Sequence, residues 1–216
     1  EVTKVEKWKE NLTGPVVHWA LAGSSVHKTW PHVAIAVMYL LRHTNANVVF
    51  TGGPAEQQLE HGILQQLLWE LDGVTYEHSH EMKISELLTR LGKHYPKRVW
   101  CTSGQWSVRE SLTHAVLADI VVGPETGVLN AVAYEPDVHK VVLLSHSSHE
   151  NLTRDWENTT VIAPIGVSCY PCHRLHFGRE FCPEDKETAA SVCAASITPK
   201  RVFEAILAVF EERKVA

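Results

Sequence analysis

The sequence predicts an α/β fold, a Rossmann-like doubly wound parallel sheet, and three observations carry that expectation. Short apolar runs of strand length recur with longer amphipathic stretches between them, the alternation of parallel strands and crossover helices. The loops leaving three of these runs are built from small and hydroxyl residues, as at the ligand edge of an open parallel sheet. The chain has 216 residues, 44% of them hydrophobic, enough to bury one substantial core.

The elements follow in order. Residues 16–21 form the first candidate strand and run into Ala22-Gly23-Ser24-Ser25; Pro31 then suits the first turn of a helix reaching about residue 42. Residues 48–50 are the second strand, ending in Thr51-Gly52-Gly53-Pro54, and residues 56–71 alternate at helical spacing. Val74-Thr75-Tyr76 reads as a short third strand, residues 84–91 as helix, 98–101 as extended and 108–117 as helix. Residues 120–122 make a buried strand, 123–127 a turn and 128–134 a short helix. Residues 140–144 form the next strand, 145–160 a polar surface loop and 161–163 a last short strand. Thr198-Pro199 supplies a cap and a first-turn proline for a terminal helix to about residue 214. The expected organisation is one domain over residues 16–216, with residues 1–15 as a leading segment or linker remnant.

Composition narrows the partners. Lys plus Arg total 20 against 25 for Asp plus Glu, a net charge of −5, which argues against nonspecific attraction to nucleic acid or anionic lipid. The longest apolar runs, such as 33–41, fall short of the ~20 residues a membrane helix needs. The charged opening, residues 1–10, does not resemble a secretory signal, so a cytoplasmic location is expected, as a processed form or a fragment if not a whole chain. In that setting the three Asn-x-Thr sequences are read as chance.

Cys169, Cys172, Cys182 and Cys193 crowd one stretch, whereas Cys101 stands alone. Four thiolates suffice for a tetrahedral structural zinc with no open position for water; free buried thiols and two disulfides are the alternatives.

The three small-residue loops are the candidate ligand site. Around Ser24 and Ser25, Gly52 and Gly53, and Thr126 and Gly127, the backbone is open to close approach, and N–H groups at helix starts favour an anion, with phosphate the natural candidate. Lys28 lies between the first loop and its helix, where an ammonium would meet the same phosphate; a solvated loop lysine is the bland alternative. Glu56 at a helix start is favoured by the helix dipole whether or not it accepts ribose hydroxyls. Glu125 either orients the Thr126-Gly127 turn or contacts a donor sugar, and Asn130 lies one turn into the following helix. Neither a Walker A loop nor a Gly-x-Gly-x-x-Gly fingerprint is present.

These segments resemble, in order, those of glycosyltransferase family 9, the ADP-heptose:lipopolysaccharide heptosyltransferases. Lys28-Thr29-Trp30-Pro31 resembles the family's Lys-x-Trp-Pro segment, and Gly52-Gly53-Pro54-Ala55-Glu56 its glycine-pair segment closed by Glu. The run from Glu125-Thr126-Gly127 to Asn130 is similar to its Asp-Thr-Gly-x-x-His segment, with Glu125 for the usual Asp and Asn130 for the usual His. Cys169-Tyr170-Pro171-Cys172, Cys182-Pro183, Cys193 and Ile197-Thr198-Pro199 are like its C-terminal pattern.

The resemblance implies the donor-binding half of a GT-B transferase. Lys28 would contact the diphosphate, Glu56 the ribose and the Thr126-Gly127 backbone the phosphates, while Ser24 and Ser25 would line the pocket. It implies transfer from a nucleotide-diphosphate sugar to a lipopolysaccharide or other glycan acceptor, at the periphery of the inner membrane, with Lys28 and Glu125 as catalytic candidates and no catalytic metal. The acceptor site and general base would come from an N-terminal domain, for which no second strand–helix set precedes residue 16. The alternatives are a noncatalytic nucleotide-sugar-binding module and an epimerase-like half domain.

Overall fold

The computed structural model describes residues 7–75 and 79–215. Six strands form one all-parallel sheet in the order β3-β2-β1-β4-β5-β6: β1 (Val16–Ala20), β2 (Asn47–Thr51), β3 (Val99–Cys101), β4 (Ile120–Pro124), β5 (His139–Leu143) and β6 (Thr159–Ile162). The predicted doubly wound α/β fold is therefore what forms.

Strand periodicity divides the core into two layers. Val17, Trp19, Val48, Phe50, Ile120, Val122, Val141 and Leu143 share one cluster with α1 (Val33–His43), α2 (Gln57–Asp72), α3 (Ile84–Leu91) and the terminal helix, Pro199–Val215. The alternate residues Val16, Val49, Val121 and Val142 point the other way. They pack against Ala115 of α4 (Val108–Leu117) and Leu129 of α5 (Gly127–Ala131). Because both faces are covered, the strands read as nearly continuous apolar runs. Further along the chain come α6 (His149–Leu152) and α7 (Val192–Ala195), and the terminal helix is α8.

Several boundaries shift from expectation. Val74 and Thr75 are not strand, and Tyr76 lies outside the described residues. Val74 follows the left-handed Gly73 that ends α2 and is buried in the helical layer, while the position beside β2 goes to β3 through the pair Val48↔Val99. β4 runs on through Pro124, into the stretch expected to turn, and α5 stops at Ala131. The loop expected at the surface from residue 145 carries α6 and buries Ser145, Ser147 and Thr153; β6 begins earlier, at Thr159. In the leading segment, residues 7–10 are helical, Trp8 meets Trp100 edge-on at 5.1 Å, and Lys9 Nζ donates to the Leu117 carbonyl at 2.6 Å.

Three buried polar side chains stand where composition alone would put apolar ones. Lys140 in β5 is fully buried, its ammonium donating to the Glu135 and Val138 carbonyls at 3.0 and 2.9 Å, and burial pushes its pKa down. His18 in β1 is also fully buried and meets His114 of α4, Nδ1 to Nδ1 at 2.8 Å, and Thr51 Oγ1 through Nε2 at 2.8 Å. Burial pushes both imidazoles down, His114 to about 4, so the pair is neutral at ordinary pH.

The strand order changes direction between β1 and β4, which opens a crevice at their carboxyl ends. The approach there is close: a Cβ on Gly123 would lie 2.6 Å from the Ala20 carbonyl oxygen, so only glycine fits. Phe50 is fully buried at the centre of the larger layer. Phe50→Ala is expected to cost about 3–5 kcal/mol, seen as a lower urea midpoint with an unchanged slope.

Candidate functional site

A cleft of about 770 Å³ opens at the carboxyl ends of β1, β2 and β4, and its walls come from the loops leaving those strands and β3. Ser24, Lys28, Gly52, Gly53, Glu56, Glu125, Thr126, Gly127 and Asn130 all line it. Of the residues expected at this ligand site, Ser25 is placed elsewhere: it is buried behind the loop, and its carbonyl accepts from Lys28 N at 2.9 Å.

Local structure positions each group. After β1 the chain makes a 3-10 turn, Val26–Lys28, closed by Gly23 N to the Lys28 carbonyl at 3.2 Å and by a bridge between Ala22 and Thr29. The Lys28 stem lies over Gly23, where a Cβ would meet its Cδ at 2.7 Å. Among the described residues no carboxylate pairs with the Lys28 ammonium, which leaves it available to an anion. After β2, Pro54–Glu56 forms a second 3-10 turn that lays Glu56 over the glycines: a Cβ on Gly52 would stand 2.5 Å from that of Glu56. Thr126 is extended ahead of α5, and its hydroxyl is buried in the wall without a partner, a polar atom that a ligand would satisfy.

Two buried carboxylates fix the loops around this cleft. Glu125 Oε1 accepts from Ser145 N at 2.8 Å, Ser147 N at 3.2 Å and His146 N at 3.3 Å, and Oε2 faces His146 Nδ1. Burial raises the Glu125 pKa, but the His146 hydrogen bond and the backbone donors outweigh it and hold the carboxyl below the usual glutamate range. Glu60 of α2, fully buried, accepts from Thr102 N at 3.0 Å and Ser103 N at 2.9 Å and so holds the loop after β3. Burial dominates there and raises its pKa.

Sequence reading missed the wall contributed by that loop and by the first turns of α4. Trp106, Ser107, Ser111 and Leu112 line the cleft. The signal was available: Ser107 caps α4, accepting from Glu110 N at 3.2 Å, while Glu110 Oε2 accepts from Ser107 N at 2.8 Å, a Ser-x-x-Glu capping box. Glu60 gave no such signal, since a glutamate in an amphipathic helix reads as solvated.

The fold has known counterparts. It is similar to the structure of E. coli ADP-heptose lps heptosyltransferase II, with a TM-score of 0.63 and 15% identity over 99% of this chain and 52% of that one. It is similar also to the glycosyl transferase family 9 structure from Veillonella parvula DSM 2008, with a TM-score of 0.62 and 12% identity over 98% of this chain and 51% of that one. No family model and no curated protein matches the sequence. The chain thus has a heptosyltransferase-like, family 9 fold and spans about half the length of these two proteins.

The depressed pKa of Glu125 fixes the sign of a stability test. Its contribution is present above the usual glutamate pKa and is lost as pH falls through the lowered folded value. Glu125→Gln is expected to cost about 1–3 kcal/mol near neutral pH. The gap to wild type should close as denaturation is repeated below the ordinary glutamate range.

Proposed function

We propose that the cleft binds the diphosphate of a nucleotide sugar, of the ADP-heptose kind, as the donor half of a glycosyltransferase. The observation that carries this reading is the convergence of Lys28, Glu56 and Thr126-Gly127, from three separate loops, on one cleft at the switch point of the sheet. In this reading Lys28 supplies the cation for the diphosphate, the N–H groups where α5 begins meet the same negative charge, and Glu56, lying over Gly52 and Gly53, accepts from ribose hydroxyls. Ser24 and Asn130 flank that path.

The chemistry would be displacement at the anomeric carbon by an acceptor hydroxyl, with nucleoside diphosphate leaving. Negative charge grows on the departing phosphate, and Lys28 with the α5 terminus stabilises it in the transition state. Glu125 does not serve as the base in this scheme. Its carboxylate is occupied by the loop after β5, so it positions the wall rather than taking a proton. The base and the glycan or lipid-linked acceptor site belong to a complementary domain, consistent with a chain that covers about half of its structural neighbours.

A second reading, a nucleotide-sugar-binding module without turnover, is favoured by the engagement of Glu125. Transfer or donor hydrolysis on supplying an N-terminal half supports the transferase, and binding without turnover supports the module. Lys28→Ala is expected to weaken nucleoside diphosphate binding by about 10- to 100-fold while leaving the nucleoside nearly unchanged. Calorimetry with ADP and adenosine measures both, and equal loss for the two ligands removes the phosphate role.

A further inference from the structure

The cysteine-rich stretch lies outside the cleft, and the structure adds a residue to it that spacing could not. Cys169, Cys172, Cys182 and Cys193 line a small cavity of about 30 Å³ together with His27. His27 is 1% exposed; its Nδ1 pairs with Ser145 Oγ at 2.9 Å, and its Nε2 is buried with no partner. A hydroxyl that accepts the Nδ1 proton leaves Nε2 as a bare lone pair, the arrangement that orients a metal-binding imidazole.

The thiols are not equivalent. A bridge between Glu184 and Ser191, flanked by Asp185 N to the Ala190 carbonyl at 2.8 Å and Val192 N to the Pro183 carbonyl at 3.0 Å, brings Cys182 and Cys193 to facing positions in the buried wall. Cys172 also lines the cavity, but its sulfur already has neighbours there, 3.9 Å from the Arg174 carbonyl and 3.8 Å from His176 Nε2. Cys169 is exposed at the rim.

We propose that this cavity is a structural zinc site whose donors are the Cys169, Cys182 and Cys193 thiolates and His27 Nε2. Relative to the four-thiolate site expected from the sequence, His27 takes the place of Cys172. Among the described residues no three donors stand in a ligating arrangement, so the ion would have to draw its ligands together as it binds. Three thiol protons pass to solvent as the ion enters. Four protein donors leave no open position, so the ion is structural. His27 precedes Lys28 in one 3-10 turn, and the ion would tie the cysteine-rich strap to that turn.

The test is zinc content of the full chain purified under reducing conditions, with cobalt(II) as a spectroscopic substitute. One zinc per chain is expected, retained in Cys172→Ser and bound at least about tenfold more weakly in His27→Gln and Cys193→Ser. The cobalt spectrum of the wild type, which needs no variant to fold, should show a tetrahedral ion with three thiolates and one nitrogen. Four thiolates in that spectrum, zinc lost from Cys172→Ser but kept in His27→Gln, a Cys182–Cys193 disulfide, or four free thiols with no bound metal would each overturn the proposal.

Discussion

At Gly123 the fourth strand passes the Ala20 carbonyl of the first so closely that no side chain fits between them. That contact brings together the loops leaving β1 and β4, one carrying Lys28 and the other Thr126 and Gly127. A larger residue would force the strands apart where the sheet reverses direction, and with them the two loops that face an anion. The cleft is thus a product of backbone proximity first and of side-chain chemistry second.

The strands bring the loops together, and buried carboxylates hold the outer ones. Glu125 gathers three N–H groups from the loop after β5, and Glu60 gathers two from the loop after β3. Each satisfies backbone donors that a buried loop would otherwise leave unpaired. Burial raises both pKa values; at Glu125 the His146 contact and the loop N–H donors outweigh it, whereas at Glu60 burial outweighs the Ser103 and Thr102 donors. The loop carrying Lys28 is held differently, by the C-terminal part of the chain. Val26 N donates to the His176 carbonyl at 2.9 Å, Trp30 Nε1 to the Ile197 carbonyl at 2.9 Å, and His32 Nε2 lies 3.1 Å from the Ala195 carbonyl.

Much of this was legible because it rests on local pattern. Strand-length apolar runs located five of the six strands as distinct runs, and 98–101, read only as extended, proved to be β3. Helices at 84–91 and 108–117 matched their periodicity to the residue. The false strand at Val74 shows the limit: a short apolar run is equally at home under a helical layer, and only the competition for the edge beside β2 decides. In the site, glycine and hydroxyl loops were visible as sequence, so nine of the named residues fell on the cleft. What a buried group bonds to is set by tertiary approach, and the roles of Glu60, Glu125 and His27 could not be read from the chain.

The paired histidines beneath the cleft have a consequence for its floor. With both rings neutral, the Nδ1-to-Nδ1 bond requires one ring to be protonated there and the other bare. If His18 carries that proton, its Nε2 accepts from the Thr51 hydroxyl. If His114 carries it, His18 Nε2–H donates to Thr51, and the hydroxyl turns to the Trp19 carbonyl 3.4 Å away. Thr51 borders the cleft. Two neutral proton arrangements therefore fit the same heavy-atom positions, and they differ in the sense of the Thr51 hydroxyl at the edge of the cleft.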